Sequence, residues 1–394
     1  MLIKREDIQE FTNNNPEYTK EEIIELLYSI YDIQNNSEKY VVNEIVNYTM
    51  EENLKKMEKY GKRKEQLKVL KKLELPEQRS KEWYEMRKEK LTASSLASAL
   101  DKCHFTTRNE LLLSKIEEKP YQSNEITEWG VKYEDIAIAF YEEMYKVKVL
   151  DFGLIPHPTF DAFGASPDGI CDDTGNDEYV SRMVEIKCPP KRKFTKTVPP
   201  HYLMQVQGQL EVCDLDECDF LQVKLDEYDN FTDYKNDVLD LSKPLDYSYP
   251  NIANYDETIN GKTSGNLPKG CTISYRKEGE LPDKLSYIYP KLLLSDDEYL
   301  EWIDEHIKKG YNIVETKWWK ITRYELSTVN RDKNWWNGII EHVLKFYNDY
   351  IHYKDNPKEL AKLKERNEKK PKYKYKKKEI DIVHDKPKPF MLCE

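Results

Sequence analysis

The sequence predicts an α/β fold, a mixed α+β sheet flanked by helices, and three observations carry that expectation. Residues 149–225 read in the order strand, strand, strand, helix, strand. Trp129, Tyr133, Ile136, Phe140 and Met144 recur at three- and four-residue steps, which predicts an amphipathic helix over 127–146 in front of those strands. Two proline pairs then punctuate the series. Pro189-Pro190 ends the strand carrying Glu185, because consecutive prolines cannot donate to a ladder, and Pro199-Pro200 opens the helix from His201 to Cys213.

Taken in order, residues 1–75 read as a helical N-terminal extension. Thr19 and Glu22 have capping-box spacing ahead of the stripe Ile23, Ile24, Leu26, Leu27 and Ile30, and Val41 to Leu73 keeps helical spacing with a lysine-rich surface. Ser80 can cap a helix that presents Trp83 and Arg87 on one face, and Thr92, Ser94 or Ser95 can cap the next. Hydroxyls at a helix start beside an arginine suit an anion, although ordinary capping leaves the same pattern. Strands follow at Val149–Leu154 and Phe160–Ser166, and Phe220–Leu225 comes after the helix that carries Gln205 and Gln209 one turn apart.

Residues 226–317 open as a polar, acidic excursion. They go on to strands at Cys271–Arg276 and Leu285–Tyr289 and a helix over Ser295–Lys309. Trp318–Ile321 and Tyr324–Val329 read as two core strands, with Trp318-Trp319 suited to core packing or to stacking on bases, and Trp335–Tyr353 as a closing helix. The stretch 357–394 is a lysine-rich tail. The domain reading is therefore an extension over 1–75, a core over 76–225, an insertion over 226–317, closing elements over 318–356 and the tail.

The chemistry-bearing centre is Ser166-Pro167-Asp168-Gly169 followed by Val184-Glu185-Ile186-Lys187, joined through the turn-rich stretch 172–177. A hairpin of this kind sets Asp168 beside Glu185, and strand alternation points Glu185 and Lys187 to one face while Ile186 turns to the core. Two carboxylates, the Ile186 carbonyl and open water positions suit a hard divalent cation. The lysine is then placed to orient or deprotonate a water in phosphodiester hydrolysis. A turn aspartate and the solvated face of a strand would leave the same residues.

The 394 residues carry a formal net charge of −11, but the sum hides an asymmetry. Lys191-Arg192-Lys193, Lys196 and the tail are basic, whereas 214–260 and 295–305 are acidic, so a basic groove for a polyanion fits an acidic exterior. Seven scattered cysteines with no C-x-x-C pair argue for reduced thiols, not a zinc site or disulfide framework. With no apolar run of membrane length and no leader-like start, the expectation is a soluble intracellular protein without membrane contact.

Four ordered motifs resemble the YqaJ-like viral recombinase and lambda exonuclease family of PD-(D/E)XK nucleases. They are Trp83…Arg87…Thr92-Ala93-Ser94; Trp129-Gly130…Tyr133-Glu134; Ser166-Pro167-Asp168-Gly169 with Glu185-Ile186-Lys187; and Tyr202…Gln205-Val206-Gln207. A fifth match is Val329-Asn330-Arg331-Asp332. The resemblance covers residues 76–225 and 318–353.

It implies a restriction-endonuclease-like core in which Glu134, Asp168, Glu185 and the Ile186 carbonyl bind Mg²⁺, with two ions expected and Mn²⁺ as a substitute. Lys187 would orient the attacking water, Gln205 would hold the water or scissile phosphate, and Arg87, Ser94 and Ser166 would grip a 5′-phosphate. The implied activity is 5′→3′ exonuclease action on double-stranded DNA ends in viral recombination, repair or replication. A single-strand annealing protein is the implied partner.

Residues 1–75, 226–317 and 357–394 have no counterpart in the compact phage enzymes. They leave homo-oligomerisation open and suggest a homologue from a large DNA virus, acting in host cytoplasm, viral factory or nucleus. The rival readings are an endonuclease of the same fold on DNA or RNA, a non-catalytic DNA-end-binding module, and a structural virion protein.

Overall fold

A computed structural model describes residues 3–117, 124–191, 194, 197–237, 267–278 and 284–368. Residues 238–266 and 279–283 of the insertion, Arg192, Lys193, Lys196 and the lysine-rich tail beyond residue 368 lie outside the described residues.

The chain begins with helices α1 (Arg5–Asn14), α2 (Lys20–Ile30) and α3 (Asn36–Leu70). The capping box at Thr19 forms as the spacing predicts. Ile8, Ile23, Leu27, Ile33, Val42 and Val46 make a small satellite core among the three helices. At 35 residues α3 is about 50 Å long, and its far end delivers Leu67 and Leu70 to the main core. There the buried Arg63 donates to Glu217 at 2.5 Å and to the Glu178 carbonyl at 2.6 Å.

Next come α4 (Lys81–Glu89), capped by Ser80 as expected, β1 (Leu91–Thr92), a 3-10 turn at Ala93–Ser95, α5 (Leu96–Ala99), α6 (Arg108–Ile116) and α7 (Glu125–Tyr145). The strands β2 (Val147–Leu150), β3 (Ile155–Pro156), β4 (Phe163–Ala165), β5 (Gly169–Gly175) and β6 (Met183–Lys187) follow. Helix α8 (Pro200–Cys213) then crosses over to β7 (Glu217–Glu227). After α9 (Phe231–Asn236) come β8 (Lys269–Arg276), β9 (Ser286–Ile288), α10 (Asp296–Lys308), β10 (Asn312–Asn330), α11 (Lys333–Asp355) and α12 (Pro357–Glu368).

The main sheet has the order β2-β5-β6-β7-β10-β8-β9, and a smaller one has the order β1-β4-β3. In the main sheet β6 and β7 are parallel, because α8 carries the chain back across one face, and the other neighbours are antiparallel. Met183, Cys218 and Phe220 pack with Val206 and Leu210 of α8 and with Trp336 and Phe346 of α11. Val184, Ile186, Leu221 and Val223 turn the other way, onto Tyr133, Phe140 and Tyr141 of α7. The fold class is thus the mixed sheet flanked by helices that the sequence predicts.

Four local expectations are corrected. The strand over Val149–Leu154 is displaced to Val147–Leu150, where Val147 and Val149 are buried and Lys148 is exposed in the alternation a half-buried strand needs. The strand over Phe160–Ser166 is confined to Phe163–Ala165, because Phe160 to Ala162 form a turn.

Asp172 to Gly175 belong to β5, not to the turn. Two neighbouring aspartates persist there because the Lys71 ammonium of the segment after α3 bridges both. Finally, Trp318–Ile321 and Tyr324–Val329 are halves of one strand, β10, whose register against β7 shifts between Ile321 and Arg323. The Trp318-Trp319 pair is buried in the core, with Trp319 donating to Thr272, so neither ring is open to a base.

Candidate active site

Asp168 stands in the bend between β4 and β5, one residue before Gly169. A Cβ at position 169 would meet Val149 Cγ1 at 2.1 Å, so only glycine lets β5 start this close to β2. The β5–β6 ladder begins at Gly169 opposite Val184. Ile186 therefore lies past its end, and its N–H donates to Asp168 Oδ2 at 2.7 Å. The carboxylate caps a strand and is fixed by it.

Glu185 is fully buried on the α8 face of β6. Its Oε1 accepts from Lys187 and, at 2.6 Å, from Gln205, while Oε2 accepts from Gln209 at 2.7 Å. The one-turn spacing of the two glutamines on α8 clamps the carboxylate from both oxygens. Lys187 closes the group, 3.9 Å from Asp168 Oδ2. Burial works against its ammonium, but the Glu185 and Asp168 charges together outweigh it and hold Lys187 above its ordinary value. It is a fixed cation in this arrangement, suited to orienting a water and not to removing its proton.

Glu134, from α7, reaches the same place from the helix edge. Arg79 of the segment ahead of α4 lies on it, Nη2 to Oε1 at 3.2 Å. Arg79 has a left-handed backbone, φ 64°, and its neighbour Gln78 donates to Asp151, Phe152 and Pro167, so the turn is pinned over the cleft. The cleft measures about 360 Å³ and is lined by Glu77, Arg79, Glu134, Asp135, Asp151 and Asp168 among others. Burial raises the Asp168 carboxyl well above the ordinary range, and the Glu185 charge adds to this. Burial likewise raises Glu134, against the pull of Arg79 and Lys187.

The anion-binding expectation rests on a second group. Arg87 Nη2 donates to Ser94 Oγ at 3.2 Å, and its guanidinium stacks 4.3 Å over the Trp83 ring. Trp83 Nε1 in turn donates to Ser166 Oγ at 3.0 Å, and that hydroxyl donates to the Gly153 carbonyl. Ser166 is thus spent on tying Trp83 to the segment that carries Asp168. Lys115 lies beneath, donating to the Arg87 and Lys90 carbonyls.

Every predicted site residue falls in these two linked groups. The sequence reading did not assign Gln209, Arg79, Gln78 or Trp83 a part in them. The one-turn spacings of Gln209 from Gln205 and of Trp83 from Arg87 are the local signals, whereas Arg79 meets Glu134 only through the fold.

The donor set is composed of oxygens, which fits Mg²⁺ or Mn²⁺ in kind. Glu185 Oε1 already takes two donors and Oε2 one, which leaves one lone pair on Oε2, and Asp168 Oδ1 accepts no hydrogen bond among the described residues. As the chain stands, no three His, Cys, Asp or Glu groups among the described residues are gathered closely enough to enclose an ion. Arg79 lies on Glu134 and Lys187 on Glu185. No helix among the described residues is long and apolar enough to cross a membrane.

Residues 82–216 match the model of the YqaJ-like viral recombinase domain. An uncharacterized protein of Acanthamoeba polyphaga mimivirus is 31% identical over 333 residues, which is 77% of this chain; the chain spans 58% of that relative's length. Among solved structures, an alkaline exonuclease from Laribacter hongkongensis is 20% identical, with a TM-score of 0.41 over 72% of this chain and 98% of that one. A phage-related exonuclease from Haemophilus somnus is 13% identical, with a TM-score of 0.34 over 67% and 95%. Residues 82–216, which hold every site residue that the sequence predicts, are thus similar to the YqaJ-like viral recombinase domain family.

Proposed function

We propose that the chain is a divalent-metal-dependent nuclease that degrades double-stranded DNA from 5′-phosphorylated ends, in the recombination, repair or replication of a viral genome. The observation that carries this reading is the surplus of acid at the cleft: Glu134, Asp168 and Glu185 share two cations, Arg79 and Lys187. Buried carboxylates in excess of their counter-ions favour uptake of a further positive charge. Asp168 Oδ1, Glu185 Oε2, Glu134 and the Ile186 carbonyl would hold the ion. Such an ion supplies an activated water and neutralises charge on the phosphate.

The protein's own part is positional. Gln205 and Gln209 keep Glu185 in one rotamer, and the Ile186 N–H keeps Asp168 in another. Lys187 orients a water and steadies the developing negative charge. Arg87 and Ser94 supply donors for a terminal phosphate, and the Trp83–Ser166 bond sets their distance from Asp168. A grip on the end at fixed reach from the cutting site favours removal of terminal nucleotides one after another.

The test is digestion with Mg²⁺ of a 5′-phosphorylated linear duplex, a 5′-hydroxyl linear duplex and a closed circle, with Lys187→Ala in parallel. Loss of the phosphorylated form first, circles intact and the variant silent, is the expected result. Cut circles would make it an endonuclease, and binding without cutting would make it an end-binding module.

A further inference from the structure

The loop between α5 and α6 carries Phe105, which at 73% exposure is the most exposed large apolar side chain among the described residues. It is not isolated. Its ring lies 3.8 Å from that of His104 and 5.8 Å from that of His201, centroid to centroid. His201 lies in the first turn of α8 and packs at 4.1 Å against Tyr202, whose ring centroid is 5.2 Å from Lys187 Nζ. A continuous row of rings therefore leads from the reaction-centre lysine to solvent and ends in an uncovered phenyl face. Trp318 and Trp319, which the sequence offered for the same task, are buried.

We propose that Phe105, backed by His104 and His201, is the stacking platform for an unpaired nucleobase of the DNA strand whose phosphate lies at the cleft. The proposal rests on the nuclease reading and adds a subsite to it. A base inside a duplex has both faces covered by its neighbours and a terminal paired base is held in plane with its complement, whereas an unpaired base can turn a π-face to an exposed aromatic ring whatever the base. Continuity with Tyr202 and Lys187 selects a nucleotide close to the bond to be cut, because the row begins at the group that would face that phosphate. The platform would hold the end of the strand apart from its complement while the Arg87 pocket holds its phosphate. Since Phe105 packs mostly against solvent, its removal leaves the core untouched.

The experiment uses the full chain carrying Lys187→Ala, to keep DNA intact, and a duplex whose 5′ end has a short unpaired stretch containing 2-aminopurine. Binding should quench the 2-aminopurine fluorescence, and affinity for this end should exceed that for a blunt duplex. Adding Phe105→Ala should abolish the quench and weaken binding to the unpaired end about tenfold. Phe105→Trp should restore both. An undiminished quench in the Phe105→Ala chain, or an equal loss of affinity for blunt and unpaired ends, would overturn the platform. The nuclease reading is scored separately by digestion with the unsubstituted chain. Digestion of DNA together with an absent quench rejects the platform alone, and no digestion with a quench lost in Phe105→Ala rejects the activity alone.

Discussion

Strands β6 and β7 carry buried charge at both ends, and the two ends are built to different rules. Where the strands begin, Asp219 Oδ1 accepts from Arg182 at 3.1 Å and Thr328 at 2.7 Å, and its Oδ2 accepts from Tyr141 at 2.7 Å. Glu217 beside it is met by Arg63, Arg182 and Lys59, which outweigh its burial and bring its carboxyl below the ordinary range. Where β6 ends, Asp168 shifts the other way, because burial and Glu185 both disfavour its charge. The first end matches its carboxylates with cations and hydroxyl donors and holds the fold; the second keeps an acid surplus facing a cleft. Buried charge alone does not mark a site, but unmatched buried charge beside an opening does.

Substitutions at the two ends should have opposite effects. Asp168→Asn should slow digestion on the order of 10³-fold, the upper range for losing one group that stabilises the reacting phosphate. The same change should raise the melting temperature, since it removes like-charge repulsion. A fall in both quantities would mean that the cleft is not strained. Asp219→Ala should do the reverse. It strips a partner from Arg182 and should cost about 3–5 kcal/mol in urea unfolding, while the folded fraction digests DNA at the parental rate.

Gln209→Leu probes the boundary between the two rules, because it removes one matched donor from the unmatched end. The expected loss is about 1–3 kcal/mol of stability, with digestion lowered through a looser Glu185. Unfolding curves and digestion rates on the same preparation would separate the two.

The smallest effect concerns Lys115, a half-buried cation whose partners among the described residues are carbonyls and not carboxylates. Burial, and then the Arg87 charge, bring it down to about 8. Below pH 8 both states carry the proton and the folded chain bears the cost of burying it. Between pH 8 and the unfolded value of about 10.4, the unfolded chain binds more protons, so stability rises with pH. Lys115→Met should flatten that part of the stability curve relative to the parent.

The sequence made local features legible and left distant ones hidden. Strand alternation was enough to put Glu185 and Lys187 on one face and Ile186 on the other, and the structure keeps that arrangement. Helix starts at Thr19, Ser80 and Ser295 were readable because a cap and its target lie within one turn. Arg79 and Glu134 are 55 residues apart in the chain, and nothing near either announces the other. Strand β10 looked like two because the register shift after Ile321 breaks the period of two. The trio Asp172, Asp173 and Thr174 looked like a turn because its compensating charge, Lys71, comes from another part of the chain.

Helix α3 has a bearing on how the gene can be trimmed. Composition changes near residue 75, which makes that point the natural place to start a shorter chain. The helix, however, is rooted on the far side of that boundary: Arg63 lies under Glu217, its carbonyl accepts from Ser181, and Lys59 and Lys62 reach Glu217 and Asp216. A gene beginning at codon 76 would pull that root out of the sheet. One beginning near codon 54, where Leu54 and Met57 face solvent, would shed the satellite helices and leave the graft union intact.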